Sequence, residues 1–244
     1  MKKNIYLTIL IPCYNEALII QQNIKLIIDF LSHKGFAWEI VVVDDGSTDD
    51  SVKEILSIKH VALKLIHYNL NKGKGTAIRI GIINSSGEYI IFMDADLSVS
   101  LTSIDTFLNK IESSDIEIFV ASRKQIRSHV LVRQPWLREQ LGKGFTTLAR
   151  IITGVKVSDF TCGFKGFTRK AAWKIFTNAK INGWGFDAEI LYLAKKYGYI
   201  IKEIPIDWTD RRGSKVKFPQ ALFSSTLDLV RLKFNDWTGK YDKK

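Results

Sequence analysis

The sequence predicts an α/β fold: a mostly parallel central sheet flanked by helices, with amphipathic helices in the C-terminal half. Three observations predict it. Apolar, β-branched runs alternate with helical stretches through the first hundred residues, the pattern of parallel pairing. Those runs are nearly continuous in Ile, Val and Leu, as strands buried on both faces require. Three of them end in polar clusters: Ile11-Pro12-Cys13-Tyr14-Asn15-Glu16, Val43-Asp44-Asp45-Gly46-Ser47 and Met93-Asp94-Ala95-Asp96. Ligands of an open α/β sheet bind beyond the carboxyl ends of its strands, so the three clusters define one acidic crevice.

Each element follows in order. Strands are expected at 5–12, 38–44, 61–67 and 88–93. The helix at 16–32 places Ile20, Ile24, Ile27 and Leu31 on one face, with Asn15 as its N-cap and Gly35 just beyond its end. A second helix begins near Ser47–Asp50 and a third near Lys72. Beyond Asp96 the pattern gives a helix at 101–112, a strand at 116–121 and a basic stretch carrying Arg123, Lys124, Arg127, Arg133 and Arg138. A helix from about 136 to 152 aligns Leu137, Leu141, Phe145, Leu148 and Ile152. A loop-rich segment (157–167), a helix carrying Phe186, Ile190, Leu193 and Tyr197, and a strand at 200–207 complete this half.

The last helix, about 217–237, is apolar over most of its circumference. Phe218, Leu222, Leu229 and Leu232 share one side, and Phe223, Leu227, Val230 and Phe234 share nearly the opposite one. Such a helix is either buried all round or sets one face on the body and the other on lipid or a partner.

At 244 residues and 46% hydrophobic content, the chain buries a sizeable core and is not disordered. It is expected to form one domain over 1–244: a first half (1–100), a second half (101–215) and the C-terminal amphipathic helix (216–238). A net charge of +11 points to an anionic partner. Cys13 and Cys162 have neither metal spacing nor a disulfide framework. The first apolar run ends at Pro12, too early for a signal peptide. No uninterrupted apolar stretch is long enough to span a bilayer. Two acidic clusters and the lack of a basic–aromatic motif argue against nucleic acid.

Chemistry concentrates in Asp94-Ala95-Asp96. Carboxylates two apart at a strand end both reach one ion, and Mg²⁺ or Mn²⁺ takes such oxygens with phosphate and water completing its shell. Adjacent Asp44 and Asp45 call for a cation or a donor-rich ligand, and a nucleoside offers base N–H and ribose hydroxyl donors. Asn71-Lys72-Gly73-Lys74-Gly75-Thr76 opens a helix with backbone N–H groups and ammonium groups suited to phosphate. It lacks the spacing of a Walker loop. A sugar-phosphate nucleotidyltransferase would carry a Gly-rich loop where Pro12–Glu16 stands.

These segments, in this order, resemble family 2 glycosyltransferases of the GT-A (Rossmann-like) fold. Ala121-Ser122-Arg123, Arg138 to Phe145 and Asp159 to Phe167 narrow the resemblance to polyprenyl-phosphate sugar transferases, the dolichyl-phosphate mannose synthases and glucosyltransferases. The pair Gly144-Phe145, Cys162-Gly163-Phe164-Lys165, Gly185-Phe186-Asp187-Ala188-Glu189 and Gly213-Ser214-Lys215 look closer to the glucosyl branch.

The resemblance implies a metal-dependent, inverting hexosyltransferase that uses a nucleoside diphosphate sugar (UDP-glucose or GDP-mannose type) and a polyprenyl (dolichyl or undecaprenyl) phosphate. Asp44 would hold the nucleoside, with Pro12, Tyr14 and Glu16 lining its pocket. Lys74 and Asp94-Ala95-Asp96 would meet the donor diphosphate, with Asp94 and Asp96 on the metal. Lys215 would close over the donor. Arg123 and Arg138 would grip the acceptor phosphate, bidentate geometry suiting Arg. Gly142 stands where mannose synthases usually carry Ser, and its backbone N–H would replace the hydroxyl. With a saccharide hydroxyl as acceptor, Asp187 or Glu189 would serve as base; with a phosphate acceptor no base is needed. The partners implied are the donor, the lipid acceptor, the cytoplasmic face of a membrane and either direct surface binding or a membrane-anchored partner subunit. A non-catalytic, basic membrane-surface module is the other reading.

Overall fold

The computed structural model describes residues 4–132, 136–210 and 218–242. A seven-stranded sheet runs in the order β3-β2-β1-β4-β7-β5-β8. Its strands are β1 (Leu7–Cys13), β2 (Trp38–Asp44), β3 (Leu63–His67), β4 (Tyr89–Met93), β5 (Ile118–Ser122), β7 (Phe164–Thr168) and β8 (Ile201–Pro205). All neighbours are parallel except β7, which runs antiparallel to both β4 and β5. β6 (His129–Val132) and β9 (Asp207–Thr209) form a separate two-stranded ribbon.

Helices cover both faces of the sheet. On one side α1 (Ile20–Ser32), α2 (Ser51–Leu56) and α4 (Thr102–Glu112) pack Ile24, Ile27, Ile55 and Phe107 against Ile9, Ile11, Val42 and Ile91. On the other, α3 (Lys74–Ile83), α5 (Trp136–Thr153), α6 (Arg169–Asn178), α7 (Phe186–Lys196) and α8 (Phe218–Trp237) close over Leu10, Val41, Val43 and Phe92. The inversion of faces at each strand residue explains why consecutive residues Ile9, Leu10 and Ile11 are all buried.

Several elements depart from the sequence reading. The end of the loop-rich segment 157–167 is β7, a central strand, and α6 follows it directly. β7 was hidden because its middle residues are Lys165 and Gly166, a charge and a residue that weakens strands. Both have local reasons. Lys165 is fully buried and paired. At Gly166 a Cβ would overlap the Phe107 ring. Gly166→Ala is therefore expected to cost about 1–3 kcal/mol through overpacking, read as a lower urea midpoint at unchanged m-value.

The first helix also begins later than expected. Asn15 is left-handed, with φ 57°, a conformation that does not start a helix. The helix starts at Ile20 behind Ile19, without a side-chain cap. The strand expected at 200–207 divides at Ile206 into β8 and β9.

The C-terminal helix is not buried all round. Leu229 and Leu232 are buried in the body, while Phe223, Leu227, Val230 and Phe234 face outward. Among the described residues no helix is long and apolar enough to cross a membrane.

Candidate active site

The chain order places β1 between β2 and β4, so the polar clusters at their carboxyl ends lie side by side at the switch point of the sheet. Register confirms the alignment: Cys13 pairs with Asp44, and Leu10 with Phe92. The three strand ends expected to meet are neighbours in the sheet.

Its first wall is stitched by the loops after β1 and β2. Asn15 N–H donates to Ser47 Oγ at 2.8 Å, and Glu16 N–H to Ser51 Oγ at 2.7 Å. Asn15 Oδ1 accepts from the N–H of Thr48 at 2.7 Å and of Asp49 at 3.3 Å. Asn15 is thus a bracket between two loops rather than a helix cap. Asp44 is buried and accepts from the Ser47 backbone and hydroxyl. Tyr14 stands exposed beside it, with Pro12 and Glu16 half-buried.

Asp45 does a different job, which the sequence alone did not assign. It accepts from Tyr68 OH at 2.6 Å, Lys72 N–H at 2.8 Å and Gly73 N–H at 2.9 Å. The charge expected to await a ligand is met by the chain itself, and the result is to seat the start of α3. Burial and this carboxylate push the Tyr68 phenol well above its usual range.

From that seat Lys74 reaches the second cluster. Its ammonium lies 2.5 Å from Asp94 Oδ1. Burial alone would depress it, but the charges of Asp94 and Asp187 hold it above the ordinary lysine range. Asp94 N–H donates to the Gly163 carbonyl at 3.0 Å, and a Cβ at Gly163 would collide with the Asp94 carboxylate. Asp96 accepts from Ser98 N–H at 2.9 Å. Leu97 then turns through the left-handed region at φ 52°, strain of a kind that collects at functional sites. Burial and then the neighbouring Asp94 push the Asp96 carboxyl up. Ala95 is buried, its carbonyl held by Asn23 Nδ2 at 2.7 Å.

Asp187, on the first turn of α7, sits below this pair. Its Oδ1 lies 2.5 Å from the Lys165 ammonium, which also donates to the Cys162 carbonyl at 2.8 Å. Burial raises the Asp187 carboxyl despite the opposing Lys165 and Lys74 charges. Glu189 is turned away from the crevice, buried against Lys180 N–H, Ile181 N–H and Tyr241 OH.

The expected acceptor residues lie past the end of β5. Arg123 donates through Nε and Nη2 to the two Asp159 oxygens, each at 2.7 Å, and its guanidinium packs on the Trp208 ring at 5.3 Å. Asp159 is buried, and its partner lies 36 residues away, a spacing no local pattern reveals. Burial favours its neutral form, but the Arg123 charge wins and holds the Asp159 carboxyl below the ordinary value. This depression stabilises the fold above about pH 4, the ordinary aspartate value, and the contribution is lost as pH falls through the folded-state value. Asp159→Asn is expected to flatten the fall of unfolding free energy as pH drops below about 4, measured by denaturant titration at successively lower pH.

Arg138 falls in the first turn of α5, but its side chain lies outside those described. Gly142 sits well inside α5, where backbone N–H groups belong to the helix ladder; a backbone contact to phosphate has no support there. Lys215 and its neighbours lie outside the described residues.

Whether this crevice suits a divalent cation follows from its donors. Asp94 and Asp96 are two carboxylates at one strand end, close enough for one to raise the other's proton affinity. Among the described residues no group of three or more His, Cys, Asp and Glu gathers into a cage. Two protein oxygens with phosphate and water for the remainder is the manner in which Mg²⁺ and Mn²⁺ join nucleotide sites. The residues fit such an ion.

The architecture is that of GT-A glycosyltransferases. It superposes on glucosyl-3-phosphoglycerate synthase from Mycobacterium tuberculosis in complex with uridine diphosphate, with a TM-score of 0.69 at 15% identity, covering 93% of this chain and 79% of that one. The same enzyme with Mn²⁺, UDP-glucose and phosphoglyceric acid gives 0.71 at 14% identity, covering 92% and 78%. Residues 8–176 match the model of glycosyl transferase family 2. The chain is 34% identical to dolichyl-phosphate beta-glucosyltransferase of Dictyostelium discoideum, over 97% of this chain and 76% of the relative. It is 30% identical to the human protein of that name, over 96% and 77%. The chain belongs to glycosyl transferase family 2.

Proposed function

We propose that the chain transfers glucose from UDP-glucose to dolichyl phosphate, with a divalent cation and inversion at the anomeric carbon. The observation that carries the reading is the Asp94–Asp96 pair at the end of β4, faced by the Lys74 ammonium from the start of α3. The names of the relatives supply glucose and the lipid phosphate, and UDP-glucose is the donor bound in the structural neighbour.

In this reading Asp44, Pro12, Tyr14 and Glu16 line the nucleoside pocket, and Lys74 and Asp94-Ala95-Asp96 meet the diphosphate. Asp94 and Asp96 hold the cation, which when bound supplies positive charge to the departing diphosphate. An acceptor phosphate oxygen attacks the anomeric carbon while the bond to the UDP oxygen breaks. Arg123 and Arg138 balance and orient that phosphate, and Lys215 closes over the donor. Residues 1–100 act as the nucleotide-sugar half and 101–215 as the acceptor half.

A phosphate monoester loses its second proton near pH 6, so the nucleophile is ready without a base. Asp187 accords with this: it is buried and committed to Lys165. Its raised carboxyl is the one observation favouring a saccharide hydroxyl acceptor, which would need a base. The exposed apolar side of α8 and the +11 charge support peripheral contact with an anionic bilayer, on the cytoplasmic face where UDP-glucose is at hand.

Acceptor chemistry tests the proposal. Transfer is expected with dolichyl phosphate in vesicles and not with dolichol, whose hydroxyl replaces the phosphate. Asp187→Asn should retain transfer to the lipid phosphate within about tenfold, below the range of a lost general base. Glucosylation of dolichol, or near-total loss in Asp187→Asn with donor binding intact, would favour the hydroxyl acceptor.

A further inference from the structure

Trp184 occupies the turn just before α7, between Gly183 and Gly185. Its side chain is a large aromatic left 39% exposed, although every neighbour around it is pinned. Gly185 N–H donates to Asp228 Oδ2 of α8 at 3.3 Å. The Asn182 carbonyl accepts from Gly75 N–H at 2.8 Å and Thr76 N–H at 3.3 Å. Phe186 packs in the core at 5.9 Å from Phe92, and Asp187 holds Lys165. The turn is thus fixed to α3, α7 and α8, and the half-exposed indole stands beside Lys74.

The indole lies beside Lys74. The ammonium of Lys74 lies 5.5 Å from the ring centroid and 2.5 Å from Asp94 Oδ1. One lysine head therefore lies between the ring and Asp94. The ring thus borders the Lys74–Asp94 pair, within reach of a group carried by a diphosphate bound there.

An aromatic face is electron-rich and attracts partial positive charge, as its contact with Lys74 already illustrates. The C–H groups of a pyranose ring are apolar and slightly positive, and a hexose with equatorial hydroxyls collects them into continuous faces. An axial hydroxyl directed at the ring interrupts such a face. We propose that Trp184 is the platform on which the donor's hexosyl ring rests, a binding and specificity residue for an all-equatorial sugar. This rests on the reading of the crevice as a nucleoside diphosphate sugar site.

Binding of UDP and of UDP-glucose, each with Mn²⁺, to the full chain tests it by calorimetry. Trp184→Ala is expected to leave the UDP affinity within about twofold while weakening UDP-glucose by about five- to tenfold, and Trp184→Phe should restore most of the loss. Equal losses for UDP and UDP-glucose would mean that the indole only positions Lys74, and would overturn the proposal. So would an unchanged ratio of the two affinities. Should Trp184→Ala fail to fold, saturation transfer in the wild-type chain decides: irradiated aromatic protons should pass magnetisation to the glucose ring protons, and transfer confined to the uridine would refute the platform. No Mn²⁺-dependent uptake of either nucleotide by the wild-type chain would remove the site reading itself, and the platform with it.

Discussion

Asp96→Asn is expected to lower glucosyl transfer by about 10³-fold while leaving the fold as stable as before or slightly more so. A thousandfold loss corresponds to about 4 kcal/mol of barrier, the scale of a cation's charge stabilisation. The stability arm follows from the resting electrostatics. Burial and the Asp94 charge both disfavour ionised Asp96, so a neutral amide relieves repulsion and still accepts from Ser98 N–H. The prediction is checked by measuring initial rates and thermal midpoints on the same preparations. A sharp fall in the midpoint would make Asp96 a structural residue, and retained activity would remove it from the cation site.

The second large effect is on stability. Lys165→Met is expected to cost about 3–5 kcal/mol, because it leaves the buried Asp187 carboxylate without its ion-pair partner. Lys165 is fully buried and its ion pair with Asp187 spans 2.5 Å. For a chain of this size the loss lowers the thermal midpoint by on the order of 10 °C. Replacing both partners by apolar residues, Lys165→Met with Asp187→Leu, should recover most of it, since the penalty lies in the unpaired charge rather than in the absent attraction. A double variant no more stable than the single one would show that Lys165 supports the fold in some other way.

Much of the architecture was legible because it depends on local pattern. Continuous Ile and Val runs marked β1, β2 and β4, and the polar residues at their ends marked the crevice. The two apolar sides of α8 separated as its residue spacing implies. What escaped depended on distant partners. Lys165 reads as surface until Asp187 and the Phe92 ring are placed around it. The strand containing it was therefore missed. α6 was missed with it, although Thr168 caps the helix by accepting from Ala171 N–H and Ala171, Ala172, Ile175 and Phe176 are its buried face. Capping and spacing together carried that signal.

The carboxylates of Asp44 and Asp45 illustrate the same limit within the site. Adjacent residues on a strand point to opposite faces, so identical side chains took different tasks. Only the fold reveals that Tyr68 and the Lys72–Gly73 backbone answer Asp45. Arg123 likewise was read for an anionic ligand alone; the fold adds Asp159, brought alongside by the turn into β7, which holds its Nε and Nη2.

The central claim is that the carboxylate crevice serves metal-dependent glucosyl transfer to a lipid phosphate. Product analysis tests it most directly: UDP-glucose, Mn²⁺ and dolichyl phosphate in anionic vesicles, with and without a chelator. A mild-acid-labile glucosyl phosphate lipid of β configuration, formed with Mn²⁺ and abolished by the chelator, is the predicted result. Absence of that lipid from well-folded protein, or its formation at an undiminished rate in the chelator, would contradict the claim.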